Sequence, residues 1–238
     1  MNEQAQAQPI SDSKLRQFWV NWGKPLLIIV LVLSALRSTI VDWNDVPSGS
    51  MKPSILVGDR IFVNKLAYDL KVPFTTWHIL QWGNPECGDV VVFFSPEDGK
   101  RLVKRLIGVP GDRIELRNNR LTVNGQPAAY GQADPRLIEQ LSKKEQVAYQ
   151  TVAENINGKS HPIMVSQVGS ARNTFQTLTV PQGQYFMMGD NRDHSRDSRT
   201  IGFVDRKLIV GRATTVVLSF DHDRYYMPRW GRFFTAMP

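Results

Sequence analysis

Lys24 to Val41 reads KPLLIIVLVLSALRSTIV, and no other stretch of the chain is as apolar for as long. Within it, Pro25 to Leu36 carries no charge and a single hydroxyl, Ser34. With Phe18 to Gly23 added in front and Ser38 to Val41 behind, the segment reaches the roughly 20 residues a helix needs to cross a bilayer. Lys24 and Arg37 stand near its ends, where long side chains snorkel to the headgroups, and Trp19, Trp22 and Trp43 fall at the interfaces. A cleavable signal peptide and a buried core helix are the rival readings. The polar leader is long for a signal, however, and no clear Ala-x-Ala site follows the apolar run. The expectation is an uncleaved anchor over 18–42, preceded by a polar leader over 1–17. Lys14, Arg16 and Lys24 precede the span whereas Asp42 and Asp45 follow it, which keeps the leader cytoplasmic and puts everything after residue 45 on the other face.

Past the anchor, short β-like runs alternate with turns: 58–65, 88–94, 101–108, 112–117, 121–125, 184–189, 207–211 and 213–220. This predicts a mainly β fold, an antiparallel β-sheet domain built from 43–125 and 181–220. Residues 126–180 are more polar and read as an inserted cap. In it Asp134-Pro135 has the form of an N-cap followed by proline at the first helical position, and Leu137 and Leu141 sit one turn apart, so one short helix is expected. Residues 221–238 form an aromatic and basic tail. Trp77, Trp82, Trp230, Phe233 and Phe234 belong either to the core or to a membrane interface.

The 29 Lys and Arg against 22 Asp and Glu give a net charge of +7, which suits an anionic lipid surface or nucleic acid. The basic residues are spread along the chain with no clustered stripe, so a phospholipid bilayer is the expected partner and nucleic acid is not. Cys87 is the only cysteine, which excludes an intramolecular disulfide, a zinc ribbon and a CxxC redox pair. No GxGxxG, P-loop, HExxH, heptad array or internal repeat occurs, and no cofactor is expected.

Three segments carry candidate chemistry. The first is Pro47-Ser48-Gly49-Ser50-Met51-Lys52-Pro53-Ser54, directly after the anchor. Its prolines fix φ at both ends, Gly49 lets neighbouring N–H groups approach a ligand, and two hydroxyls one residue apart suit a nucleophile and an oxyanion donor. A solvated juxtamembrane turn has the same composition. A serine nucleophile needs a base, and the candidates are His78, His161, His194 and His222, none in an obvious triad, or a buried neutral lysine. Lys104 suits the second role. Period-2 alternation sets it on one strand face with Leu102 and Leu106, while Arg105 shares the other with Val103 and Ile107, and arginine cannot release its proton. A strand lysine snorkelling to solvent is the alternative. The third segment is Gly189 to Arg199, GDNRDHSRDSR, a charged loop after an apolar strand. Its acidic spacing does not match a calcium loop; it reads either as a solvated charged loop or as one whose Asp and Arg residues lock each other and aim one small hydroxyl inward.

Together PSGSM at 47–51, LVKRLIGVPGD at 102–112 and GDNRDHSRDSR at 189–199 resemble the type I signal peptidases, membrane-anchored serine proteases of the Ser/Lys kind. LVGDRIFVNK at 56–65, CGDVVVF at 87–93 and IGFVDRKLIVGRA at 201–213 add to the likeness. The resemblance implies a cytoplasmic (inner) membrane location with the catalytic domain on the outer face, and preprotein signal peptides as substrates cut after Ala-x-Ala. It implies Ser50 as nucleophile, Lys104 as neutral base, Ser48 as oxyanion donor and Ser195 as the residue that orients the lysine. It further implies Asp197 and Arg199 as a supporting ion pair, and Val46, Met51 and Ile55 as the lining of shallow substrate pockets. Two departures stand out: His194 occupies a position where asparagine is common, and Cys87 has no partner for the disulfide some members carry. A relative dedicated to one substrate, such as a pilin, and a non-catalytic membrane-tethered peptide binder are the alternatives.

Overall fold

The computed structural model describes residues 12–238 except 74, 76, 171 and 172, so the first part of the leader lies outside the described residues. Helix Asp12–Phe18, a π-helical turn Trp19–Gly23 and helix Lys24–Thr39 follow one another without a break. A 21-residue stretch of them, Leu15–Ala35, is long and apolar enough to cross a membrane, and none of it is buried against the rest of the chain. Half or more of nearly every side chain from Leu26 to Leu33 is uncovered. A helix apolar all round has no stable place in water, so what covers it lies outside the chain.

The helix stops at Thr39, short of the expected end at residue 42, and Val41 and Asp42 open a strand instead. The β-branched run Thr39-Ile40-Val41 favours extended backbone. Lys65 holds the junction: its amide donates to the Ile40 carbonyl (3.0 Å) and its ammonium to the Ser38 carbonyl (2.9 Å), a cation on the helix C-terminus.

Strands β1 (Val41–Asp45), β2 (Asp59–Asn64), β3 (Asp69–Lys71), β4 (His78–Gln81), β5 (Val90–Phe94) and β6 (Arg101–Gly108) come first in the chain. The main antiparallel sheet runs β1, β2, Ile209–Asp221, β5, β6, Gln184–Met188, Val204–Asp205. Its faces follow the alternation of β5. Val90 and Val92 join Val46, Met51, Ile55, Ile61 and Val63 in one core, while Val91 and Phe93 join Leu106 and Met187 in another.

The remaining sheets do not follow the boundaries read from the sequence. Within 126–180 stand three unexpected strands, Ala129–Gln132, Tyr149–Ile156 and Lys159–Ser166, paired as their own sheet. A fourth, Phe175–Thr179, pairs with Arg113–Arg117 of the adjoining hairpin, and a fifth, Gln126–Pro127, with that hairpin's other strand, Arg120–Val123. The expected helix is present at Pro135–Glu139, with the Asp134 carboxylate accepting from the Arg136 amide, and a second follows at Lys143–Ala148 with a Ser142–Glu145 capping box. The 207–211 and 213–220 runs merge into one strand from Ile209, since Arg206–Leu208 forms a 3-10 turn. The tail adds to the main sheet: Met227–Pro228 and Thr235–Ala236 both pair with Ile209–Asp221, and buried Arg232 pairs with buried Asp59. Of its aromatics, Phe233 packs on Phe220 and Trp230, whereas Trp230 and Phe234 stay exposed.

Candidate active site

Ser50 sits in the middle of a one-turn 3-10 helix, Gly49–Met51, with extended residues on both sides. Pro47 and Pro53 restrict that backbone, and Met51 and Ile55 anchor it in the core beneath. The 189–199 loop grips it from above. The Asn191 side-chain amide donates to the Gly49 carbonyl (3.1 Å) and the Asn191 backbone N–H to the Ser50 carbonyl (3.1 Å). The loop comes so close that a Cβ at Gly189 would lie 2.5 Å from the Ser50 carbonyl oxygen and 2.2 Å from Ser195 Oγ; only glycine fits.

Lys104 projects from the middle of β6, and its Nζ lies 2.7 Å from Ser50 Oγ while donating to the Val103 carbonyl at 2.8 Å. It is buried, and that burial pushes its ammonium down from the ordinary lysine range to about 8, against the opposing pull of Asp197 and Asp190. Leu102 lines the same cleft, as the strand alternation requires. Arg105 turns the other way, into a buried bidentate pair with Asp190 (2.9 and 2.8 Å), to which Ser54 also donates. Arg101, at the start of β6, donates to Asp42 (2.9 Å) and Asn44 (2.6 Å), tying the strand that carries Lys104 to the segment where the anchor ends.

Ser48 Oγ stands 3.4 Å from Ser50 Oγ on the open side. Ser195 is buried against Gly189 and hydrogen-bonds to Asp197. Burial disfavours the Asp197 charge, but the Arg199 guanidinium (2.8 and 2.7 Å) and the Gly189 N–H (2.9 Å) hold its carboxyl below the usual range. Val46, Met51 and Ile55 lie in the core, not on the walls of the cleft.

The cleft has a volume of about 430 Å³ and is lined by Ser48, Ser50, Leu102 and Lys104. It is also lined by residues that sequence reading did not single out: Lys52 and Glu145, paired at 2.6 Å, and Tyr149, whose hydroxyl lies 3.0 Å from His194 Nδ1. Ser142 and Glu145 have the spacing of a capping box, and nothing in that spacing announces the cleft. The other histidines are placed away from it. His78 faces Asp69 (3.1 Å), His161 faces Glu154 (3.2 Å) and His222 stacks on Tyr226 (4.7 Å). Of the candidate bases, Lys104 alone lies within a hydrogen bond of Ser50 Oγ among the described residues. No group of His, Cys, Asp and Glu there is arranged to hold a metal ion.

Residues 19–218 match the family model described as "Signal peptidase, peptidase S26". Signal peptidase I of Pseudomonas aeruginosa is 34% identical over 90% of this chain and 78% of its own length. Signal peptidase I P of Bacillus subtilis subsp. natto is 32% identical over 87% of this chain and 92% of its own. Among solved structures, a crystal structure of a signal peptidase I from Enterococcus faecalis shares 33% identity over 54% of this chain and 96% of its own, with a TM-score of 0.35.

Proposed function

The chain belongs to the signal peptidase family, peptidase S26, a membrane-anchored enzyme that removes signal peptides, and on that premise we propose that Ser50 and Lys104 perform the cleavage as a nucleophile–base dyad. The observation that carries this is the 2.7 Å separation of Lys104 Nζ from Ser50 Oγ in a site where burial favours the neutral amine. The preprotein lies extended in the cleft. Neutral Lys104 accepts the Ser50 hydroxyl proton as Oγ attacks the carbonyl carbon after the signal peptide. The charge on the carbonyl oxygen is held by the Ser48 hydroxyl and the Ser50 amide. Protonated Lys104 then gives its proton to the leaving amine, the peptide bond breaks, and the signal peptide remains as an ester on Ser50. Water, deprotonated by Lys104, hydrolyses that ester. Ser195, with Asp197 and Arg199 behind it, orients the lysine.

The preference for small residues before the cut, as an Ala-x-Ala site presents, is proposed from the family likeness, since Val46, Met51 and Ile55 are buried in the core and do not line the cleft. The anchor supports the location: Arg101 and Lys65 hold the catalytic sheet against the end of the membrane helix, which keeps the nucleophile near the depth where a signal peptide leaves the bilayer. We place the leader in the cytoplasm and the β domain on the outer face of the inner membrane.

Three measurements check this reading. Detergent-solubilised protein should cut a preprotein once, after Ala-x-Ala, as read by N-terminal sequencing of the product; binding of such preproteins without cleavage contradicts the proposal. Since Lys104 works deprotonated, kcat/KM should rise about tenfold per pH unit below its pKa and level off above about pH 8, the value to which burial lowers it. A plateau reached already at pH 6 would assign the base elsewhere. Ser48→Ala should lower kcat by about 10²- to 10³-fold with little change in KM, the usual cost of one oxyanion donor.

A further inference from the structure

Lys52 and Glu145 line two cavities at once: the catalytic cleft and a second of about 620 Å³, lined in part by the tail. Glu139, Asp221, Asp223, Arg224 and Arg229 are among the residues around the second cavity, and none of them lines the cleft. Ser50 and Lys104 line only the cleft. A peptide bond seated at Ser50 thus has room for more chain past the Lys52–Glu145 pair.

That pair is held from both ends. Lys52 follows the nucleophile by two residues, and its stem lies against Gly49, where an added Cβ would meet Lys52 Cδ and Cε at 3.3 Å. Glu145 stands on the helix Lys143–Ala148. Its Oε1 accepts from Lys52 Nζ (2.6 Å), and its Oε2 accepts from the Ser142 hydroxyl (2.8 Å) and amide (3.0 Å). Burial disfavours the Glu145 charge, but those hydrogen bonds hold its carboxyl below the usual range, so it is ionised wherever Lys104 is neutral. Among the other charges around the second cavity, Arg229 lies 3.3 Å from Asp221 and Arg232 is paired with buried Asp59. Both signs are present, and the pairs cancel locally.

The two halves of an extended substrate leave the scissile bond in opposite directions. The signal-peptide half comes from the bilayer beside the anchor, where Arg101 joins β6 to Asp42 and Asn44. Strand edge is free there as well: β1 pairs only with β2, and Arg101 to Lys104 pair only with β5. The mature half leaves away from the anchor. We propose that the first residues of the mature chain cross the Lys52–Glu145 pair into the second cavity, and that the pair, cancelling its own charge, lets this subsite take mature chains of either sign. The proposal rests on cleavage at Ser50 and adds which half of the preprotein the inserted region and the tail hold.

The test uses the full chain in detergent and preproteins that differ only in the second to fourth residues after the cut, which are all Lys, all Glu or all Ser. Wild type should cleave the three within about twofold of one another. Lys52→Met leaves Glu145 unpaired and should favour the Lys preprotein over the Glu one by about three- to fivefold in kcat/KM, the scale of a partly exposed charge pair. Glu145→Gln, which keeps the capping box, should reverse that order. Both effects should fall on KM and not on kcat, and the same charges placed before the cut should not feel either variant. Variants that cleave with no dependence on the mature charges, or that respond to charges before the cut, overturn the proposal. A second readout needs no turnover: on Ser50→Ala, a preprotein with a photoreactive phenylalanine at the third mature position should crosslink within 139–145 or 221–232. Crosslinks elsewhere, or none, also overturn it, so its failure and a failure of the Ser50–Lys104 chemistry are read separately.

Discussion

Lys104→Arg should abolish preprotein cleavage as completely as Lys104→Ala, with a loss on the order of 10⁵-fold, the scale seen when one member of a catalytic unit is removed. Arginine preserves the positive charge, the length and the hydrogen-bonding capacity of a structural lysine, and it cannot release its proton at working pH. The substitution therefore separates two roles for one buried cation. If Lys104 only fills its strand position or balances Asp197 and Asp190, arginine keeps activity within about tenfold of wild type, a loss of roughly 1.4 kcal/mol at most. If it is the base, both variants bind preprotein, keep their fold by circular dichroism, and do not cut it.

The second large effect is on stability. Asp190 is buried, accepts both Arg105 nitrogens and Ser54, and is held below the usual carboxylate range by that guanidinium against the cost of burial. Arg105 also donates to the Gly88 and Pro238 carbonyls, so it ties β6, the loop before β5 and the tail together. Asp190→Ala leaves an uncompensated guanidinium in the interior and should cost about 3–5 kcal/mol. The backbone of Asp190 receives the Met164 N–H, and its neighbour Asn191 clamps Ser50, so activity should fall with the fold. The expected readout is a large drop in the urea midpoint with the slope unchanged. The double variant Arg105→Met, Asp190→Leu should recover part of the loss, because an apolar pair of similar volume carries no buried charge.

Some of this was legible in the residues and some was not, for physical reasons. The anchor announces itself because a bilayer demands a long apolar run, but its end was misplaced by three residues. A β-branched junction is apolar in either conformation, and only the contact with Lys65 settles which it adopts. Lys104 was separated from Arg105 by chemistry and not by pattern, since both have apolar flanks. The strands of 126–180 were missed because their sheet is half wet and its residues are largely polar. The sign that marked them was Asn157-Gly158, both with positive φ, a tight-turn pair between two eight-residue runs. The Lys52–Glu145 pair joins residues far apart in sequence, and no local spacing reports such a meeting.

The central claim, that Ser50 carries the signal peptide as an ester during turnover, is tested most directly by acid-quenching wild-type protein during cleavage of a preprotein and mapping the adduct by mass spectrometry. The account predicts the mass of the signal-peptide acyl group on the fragment containing Ser50, absent when Ser50→Ala is treated in the same way. An adduct on a different residue, or cleavage that continues at the wild-type rate in Ser50→Ala, would contradict it.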